Sequence, residues 1–222
     1  MDEKLLLNKI KNPLSKRDVL DLANWCLAEN FSIPLLIDLT FQSDKKMRFK
    51  SAWILEKVFL INPIQFKPYI TYFWERFSEQ DYPSAQRHFT RILLELTKNT
   101  EIDPPSAIIV KFAEGLIETI FSWLINDDSP VAVKAHCLSI LANFSSSHWW
   151  IREELLQTIN HLEGRERSAF YVRAKRVREK LKSGSLGSSW VFWLMIQLEN
   201  LRHSGFPLST FNFPLSTFNL QL

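Results

Sequence analysis

The chain has 222 residues, 46% of them apolar and 23% charged, which is long enough to bury a sizeable core and too apolar for a disordered segment. Five glycines argue against a turn-rich β fold, and a formal charge of +3 is too small to imply a partner by itself. No apolar run approaches the roughly 20 residues that cross a bilayer, and Leu5-Leu6-Leu7 falls far short of a signal-peptide core. A cytoplasmic protein is therefore expected, with no membrane partner. Cys26 and Cys137 belong to no Cys-x-x-Cys pair and fall within apolar helical patterns, so buried free thiols are expected.

The first elements read as a capping pair of helices. A short helix ends near Asn12-Pro13. Ser15 opens a second, with Asp18 three residues on as its capping-box partner, and Leu22, Trp25 and Cys26 form the inner face. Asn30 is the expected stop. The first full hairpin spans Ile33 to Leu60. Pro34 marks the first turn of a short helix to Phe41, Ser43-Asp44 caps the next, and Ala52, Leu55, Val58 and Phe59 form its core stripe.

The second hairpin starts at Pro63, with one amphipathic helix carrying Tyr69, Ile70, Phe73, Trp74 and Phe77 inward. After the turn at Asp81 to Ser84, its partner carries Phe89, Ile92, Leu93 and Leu96. Asn99 to Pro105 interrupts the pattern. A third hairpin follows, with a long helix over 106–125 and a second helix from Asp127 to Phe144. In the latter, Ser129 is the expected cap, Pro130 fits the first turn, and Val131, Ala135, Leu138 and Leu141 share one face. The fourth runs from Trp149 to Lys182, with Leu155, Leu156, Ile159 and Leu162 inside its first helix. Gly164 ends that helix, and Ser168 begins the next.

Aligning the small-residue position of each second helix gives Ala52, Thr90, Ala135 and Ala174. Such helical repeats have periods of roughly 40–47 residues. The acidic-then-Pro turn followed by Val, a basic residue, Ala and Leu in the third hairpin resembles the second helix of a HEAT repeat. The wider pattern over Ile33 to Lys182 resembles HEAT or armadillo-type arrays. The resemblance implies an all-α fold, an α-α superhelix (solenoid) of about four HEAT-like hairpins behind an N-terminal capping pair, occupying residues 1–182. Residues 183–222 differ in kind. A Ser/Gly linker precedes a dense apolar run from Trp190 to Leu198, and then Phe-Pro-Leu-Ser-Thr-Phe-Asn occurs twice in tandem, consistent with an atypical tail.

No two of the five histidines stand at metal-ligand spacing on one helix, and no phosphate-binding glycine loop or nucleophile elbow occurs. Neither metal nor cofactor is expected. Asp127-Asp128 reads as a solvated pair at a helix N-terminus, where negative charge is favourable. Trp53, Arg91, His136 and Lys175 each follow the aligned small position, so a shared register would place them on one surface. Between Arg165 and Lys182 stand eight basic residues and two acids. There Phe170, Ala174, Val177 and Leu181 form the buried stripe, Arg173, Arg176 and Lys180 flank one side, and Lys175, Arg178 and Lys182 the other.

Two functional classes fit. The first is a non-catalytic protein-interaction module, scaffold or adaptor, that binds an unknown protein partner on the surface of the second helices. The second rests on similarity to DNA alkylation-repeat glycosylases, helical-repeat proteins with a basic, aromatic groove holding a carboxylate. That resemblance implies nucleic-acid binding, and the i, i+3, i+7 spacing of Arg173, Arg176 and Lys180 separately aligns three cations that, with Arg91 from an earlier hairpin, would act by phosphate neutralisation. No Asp or Glu stands at the aligned positions beside Trp53, Arg91, His136 and Lys175, so the catalytic carboxylate of that family is not carried over.

Overall fold

The computed structural model describes residues 3–98, 106–146 and 149–183. Helix α1 (Glu3–Lys11) and helix α2 (Lys16–Ala28) form the capping pair. The box at the start of α2 is reciprocal: Ser15 Oγ accepts the Asp18 N–H at 3.2 Å, and the Asp18 carboxylate accepts the Ser15 N–H at 2.7 Å. Asn30, with φ of 50°, turns the chain after α2. Helix α3 (Ile33–Asp38) tightens into a 3-10 turn over Leu39–Phe41. Helix α4 (Lys45–Ile61) is capped by Asp44, whose Oδ1 accepts from the N–H groups of Lys46 and Met47 at 2.7 and 3.3 Å. The expected stripe of Ala52, Leu55, Val58 and Phe59 is buried throughout.

The second hairpin departs from expectation. Its first arm is broken into helix α5 (Pro63–Phe66), a 3-10 turn over Lys67–Tyr69, and helix α6 (Ile70–Phe77). Pro68 is the cause, because it lacks an N–H and its ring would strike the carbonyl four residues back. The break leaves Tyr69 half-buried, while Ile70, Phe73, Trp74 and Phe77 stay inside. Helix α7 (Pro83–Leu96) completes the hairpin. Aromatic rings run through this part of the core: Phe59 meets Phe66 at 5.2 Å, Phe66 meets Phe73 at 5.7 Å, and Phe73 meets Phe89 at 5.0 Å between centroids. Each such pair adds about 0.5–1.5 kcal/mol beyond its burial.

Helix α8 (Ser106–Ile125) and helix α9 (Val131–Phe144) form the third hairpin. Ser129 is not the side-chain cap. Pro130 itself occupies the cap position, and Asn126 organises the turn instead, its Oδ1 accepting from the Asp128 N–H at 3.0 Å and its carbonyl from the Ser129 N–H at 3.1 Å. The stripe on α9 is also displaced. Leu138 and Leu141 are buried, but Val131 and Ala135 are half-buried, and Val133, Lys134, Cys137 and Ile140 fill the inside. A helix packed on several sides buries an arc wider than one stripe, and periodicity cannot centre it.

Helix α10 (Trp149–His161) and helix α11 (Ser168–Ser183) close the array. Gly164, with φ of 82°, makes the turn between them at no steric cost. Leu155, Ile159 and Leu162 are buried as expected, and Leu156 is half-buried. On α11, all four members of the expected stripe, Phe170, Ala174, Val177 and Leu181, are inside. Both cysteines are buried free thiols, with burial pushing the Cys26 pKa up to about 12.

The second helices α2, α4, α7, α9 and α11 pack side by side in chain order, and α3, α6 and α8 form the other layer. No strand occurs among the described residues. The expected break at Asn99 to Pro105, His148, and the linker, apolar run and tandem heptapeptide of residues 184–222 lie outside the described residues.

Candidate interaction surface

The ladder of second helices brings together side chains from distant parts of the chain. Between α4 and α7, Glu56 and His88 form a buried pair, Oε2 to Nδ1 at 2.5 Å. Burial raises the Glu56 pKa, but hydrogen bonds from His88 and Lys57 outweigh it and hold the group at about 2. The imidazole of His88 stacks on Trp53 at 6.4 Å and leans on Phe49 at 5.4 Å. Its Nε2 has no hydrogen-bond partner among the described residues.

Between α7 and α9, Thr90 Oγ1 lies 3.0 Å from His136 Nδ1, and Asn143 Nδ2 donates to Thr97 Oγ1 at 2.8 Å. The Thr90 hydroxyl is also within 2.8 Å of the Gln86 carbonyl. When its single proton serves that carbonyl, the His136 Nδ1–H donates to it. Burial and the guanidinium groups of Arg91, Arg173 and Arg87 push the His136 pKa from 6.5 down to about 4, against a small opposing pull from Glu56. His136 is therefore a neutral ring among three arginines from two helices.

The cations flank α9 from both sides. On α7, Arg87 and Arg91 stand at i and i+4 and share one face, and Lys98 follows in the turn after the helix. Glu95 stands one turn after Arg91, forms an ion pair with it at 3.1 Å and accepts from Lys98 at 3.0 Å. On α11, Arg173 and Lys180 lie on the side that faces α9, with exposed Arg176 three residues after Arg173, and Lys180 Nζ donates to Asn143 Oδ1 at 2.5 Å. Partial burial, with Lys98 nearby, lowers the Lys180 pKa. Arg87, Arg173 and Arg176 have no acid within ion-pair distance among the described residues. Between these rows α9 offers Ala132, Ala135 and Ser139, each half-buried. No group of three metal-binding side chains occurs among the described residues, and none of their helices is long and apolar enough to cross a membrane.

A family model described as a HEAT repeat domain matches residues 6–181. The chain belongs to the HEAT repeat family. Among solved structures, the HEAT array is similar to a crystal structure of an engineered protein from the Northeast Structural Genomics Consortium. The TM-score is 0.55 at 18% identity, over 81% of this chain and 80% of that one, a likeness of fold alone. A search of the curated proteins returned no match.

Of the residues expected on the HEAT ladder, Arg91, His136 and Arg173 come together, with Arg176 and Lys180 in the same flank. Trp53 lies one helix away, against His88. Lys175 does not join them. It shares the opposite flank of α11 with Arg178, whose guanidinium is held by Asn160 at 2.7 Å on α10 and by Glu163 at 3.3 Å. The alignment of small positions is one residue off on α9 alone. Ala52, Thr90 and Ala174 are buried, but on α9 the buried place belongs to Lys134, which pairs with Glu166, and Ala135 is turned outward.

Sequence reasoning also missed Glu56, His88, Arg87, Lys98 and Asn143. Helical spacing could have found two of them, because Arg87 precedes Arg91 by one turn and Asn143 follows His136 by two. Glu56 stands three residues after Trp53, so a carboxylate does belong to this ladder, beneath its surface rather than at the aligned positions.

Proposed function

We propose that this protein is a non-catalytic interaction module that seats a partner protein on its ladder of second helices. The observation that carries the reading is the convergence of Arg87, Arg91 and Arg173 around His136, from helices whose cores are satisfied without them. Clustering like charges costs stability, and an interaction surface recovers it when an opposite charge arrives. HEAT repeats are typically non-catalytic, which supports the same reading. Two buried, unpaired thiols suit a reducing compartment, and we place the work in the cytoplasm.

Site-specific photo-crosslinking tests it. A crosslinker at Ser139, on the ladder, is expected to yield protein adducts that survive nuclease treatment, and one at exposed Glu153 on α10 is not. Adducts confined to Glu153 would refute the assignment.

One observation favours a second reading. The ladder between α7 and α11 is largely of one sign, as a phosphate-binding surface would be. Nucleic acid crosslinked at Ser139, with adducts lost to nuclease, would establish that reading instead.

A further inference from the structure

We infer that the α9 surface between the two basic rows is a groove for an acidic helix of the partner protein. The inference rests on the interaction-module reading and names the chemistry of its occupant. The groove has a floor and two walls. The floor is Ala132, Ala135 and Ser139, side chains small enough for another backbone to approach closely, with the His136 ring held against the α7 side by Thr90. One wall is Arg87 and Arg91 on α7, the other Arg173 and Arg176 on α11. Asn143 closes one end by bonding Thr97 on one side and Lys180 on the other.

Dimensions select the occupant. Packed helices lie about 8–10 Å apart, so the axes of α7 and α11 flank α9 by roughly 16–20 Å in all. Long arginine side chains on both sides narrow the opening to about one helix diameter of 10–12 Å. A B-form duplex is about twice as wide. Single strands need aromatic platforms for their bases. The ring of α9 among these arginines is His136, held against Thr90 on α7, and Trp53 and Phe49 are committed to His88 on α4. Glu95 adds to the argument. Its carboxylate already bridges Arg91 and Lys98, so the wall accepts a side-chain carboxylate at normal ion-pair distance. From Ala132 to Ser139 the floor is about 10 Å long at 1.5 Å per residue, or two turns. The occupant therefore presents carboxylates on both flanks of two consecutive turns, with small side chains toward the floor.

Fluorescence anisotropy on the full chain tests this. The probes are a labelled Ala-rich helical peptide with Glu on both flanks, the same peptide with Lys for Glu, a labelled oligothymidylate and a labelled DNA duplex. The Glu peptide should bind and the Lys peptide should not, with affinity falling as salt rises from about 0.05 to about 0.15 M. The triple variant R87Q/R173Q/R176Q should weaken binding roughly 10-fold, as expected for three exposed ion pairs. Ala135→Trp, which fills the floor without changing charge, should abolish it. Thermal melts confirm that each variant is folded. If Ala135→Trp does not fold, Ser139→Gln serves as the floor variant.

Tighter binding of DNA than of the Glu peptide, or Glu-peptide binding indifferent to the folded floor variant, overturns the groove. So does no binding of the Glu peptide. In each case, protein adducts at Ser139 would still uphold the interaction module, so the two failures are told apart.

Discussion

Thr90 and His136 are 46 residues apart and touch at 3.0 Å, and Thr97 and Asn143 repeat the same separation one contact along. Two contacts of equal offset fix α7 and α9 in parallel register. That register holds His136 among the arginines, and its protonation follows from where it sits.

The pH dependence of stability should show it. The His136 pKa is lowered in the folded state, from 6.5 to about 4. The unfolded chain therefore binds the proton more readily. The contribution is fully present above pH 6.5 and is lost as pH falls towards 4. At a half-buried site it is on the order of 1–3 kcal/mol. Urea denaturation across that window should show the slope in the wild type and a smaller one in His136→Gln. Equal slopes would mean the ring stays solvated.

Glu56 governs a separate, more acid window. Its pKa is lowered to about 2, so its stabilisation is present above about 4.5 and disappears as pH falls towards 2. Glu56→Gln should destabilise the protein at neutral pH by about 1.5–3 kcal/mol, the range for hydrogen bonds to charged groups. It should also flatten the acid limb between those values. An unchanged acid limb would show that the pair with His88 opens in solution.

Leu138 is fully buried on α9, between α7 and α11. Leu138→Ala should destabilise by about 2–5 kcal/mol, a large part of a typical 5–15 kcal/mol total. Denaturant melts read this directly. A change below about 0.5 kcal/mol is what an exposed position gives and would displace Leu138 from the core.

Lys134 is 1% exposed and its ammonium pairs with Glu166, in the turn before α11. Lys134→Met alone strands the carboxylate, a loss of about 3–5 kcal/mol. Adding Glu166→Leu should recover most of it, because an apolar pair of similar volume removes the unpaired charge. A double mutant no more stable than Lys134→Met would show that the charges are needed for packing.

The fold was largely legible because each hairpin carries its own signals. The Ser15–Asp18 box, the Asp44 cap and the stripe from Phe170 to Leu181 are local patterns with local causes. Errors arose where burial is set by neighbours. On α9, Val133 and Cys137 displaced Val131 and Ala135 from the inside, because helices approach α9 from several sides. Pro68 was a visible breaker inside an amphipathic pattern, and the pattern overrode it. The surface was legible only in part. Arg91 and His136 were found through a register that was right for α7 and α11 and one residue off for α9, and Lys175 keeps that register on the last second helix, where no following second helix among the described residues faces it. Glu56–His88 is a pair formed across 32 residues, and nothing in either local stretch announces it.

Asn143 has a consequence of its own. In an ideal solenoid each repeat feels only its immediate neighbours, so stability adds as nearest-neighbour terms along a line. Asn143 bonds Thr97 of the second hairpin with its amide nitrogen and Lys180 of the fourth with its oxygen. One side chain in the third hairpin thus joins the hairpins on either side of it. Both bonds are nearest-neighbour terms, but they share one side chain, so the two interfaces of the third hairpin are coupled through Asn143. Losing that one residue would loosen both interfaces of the third hairpin at once.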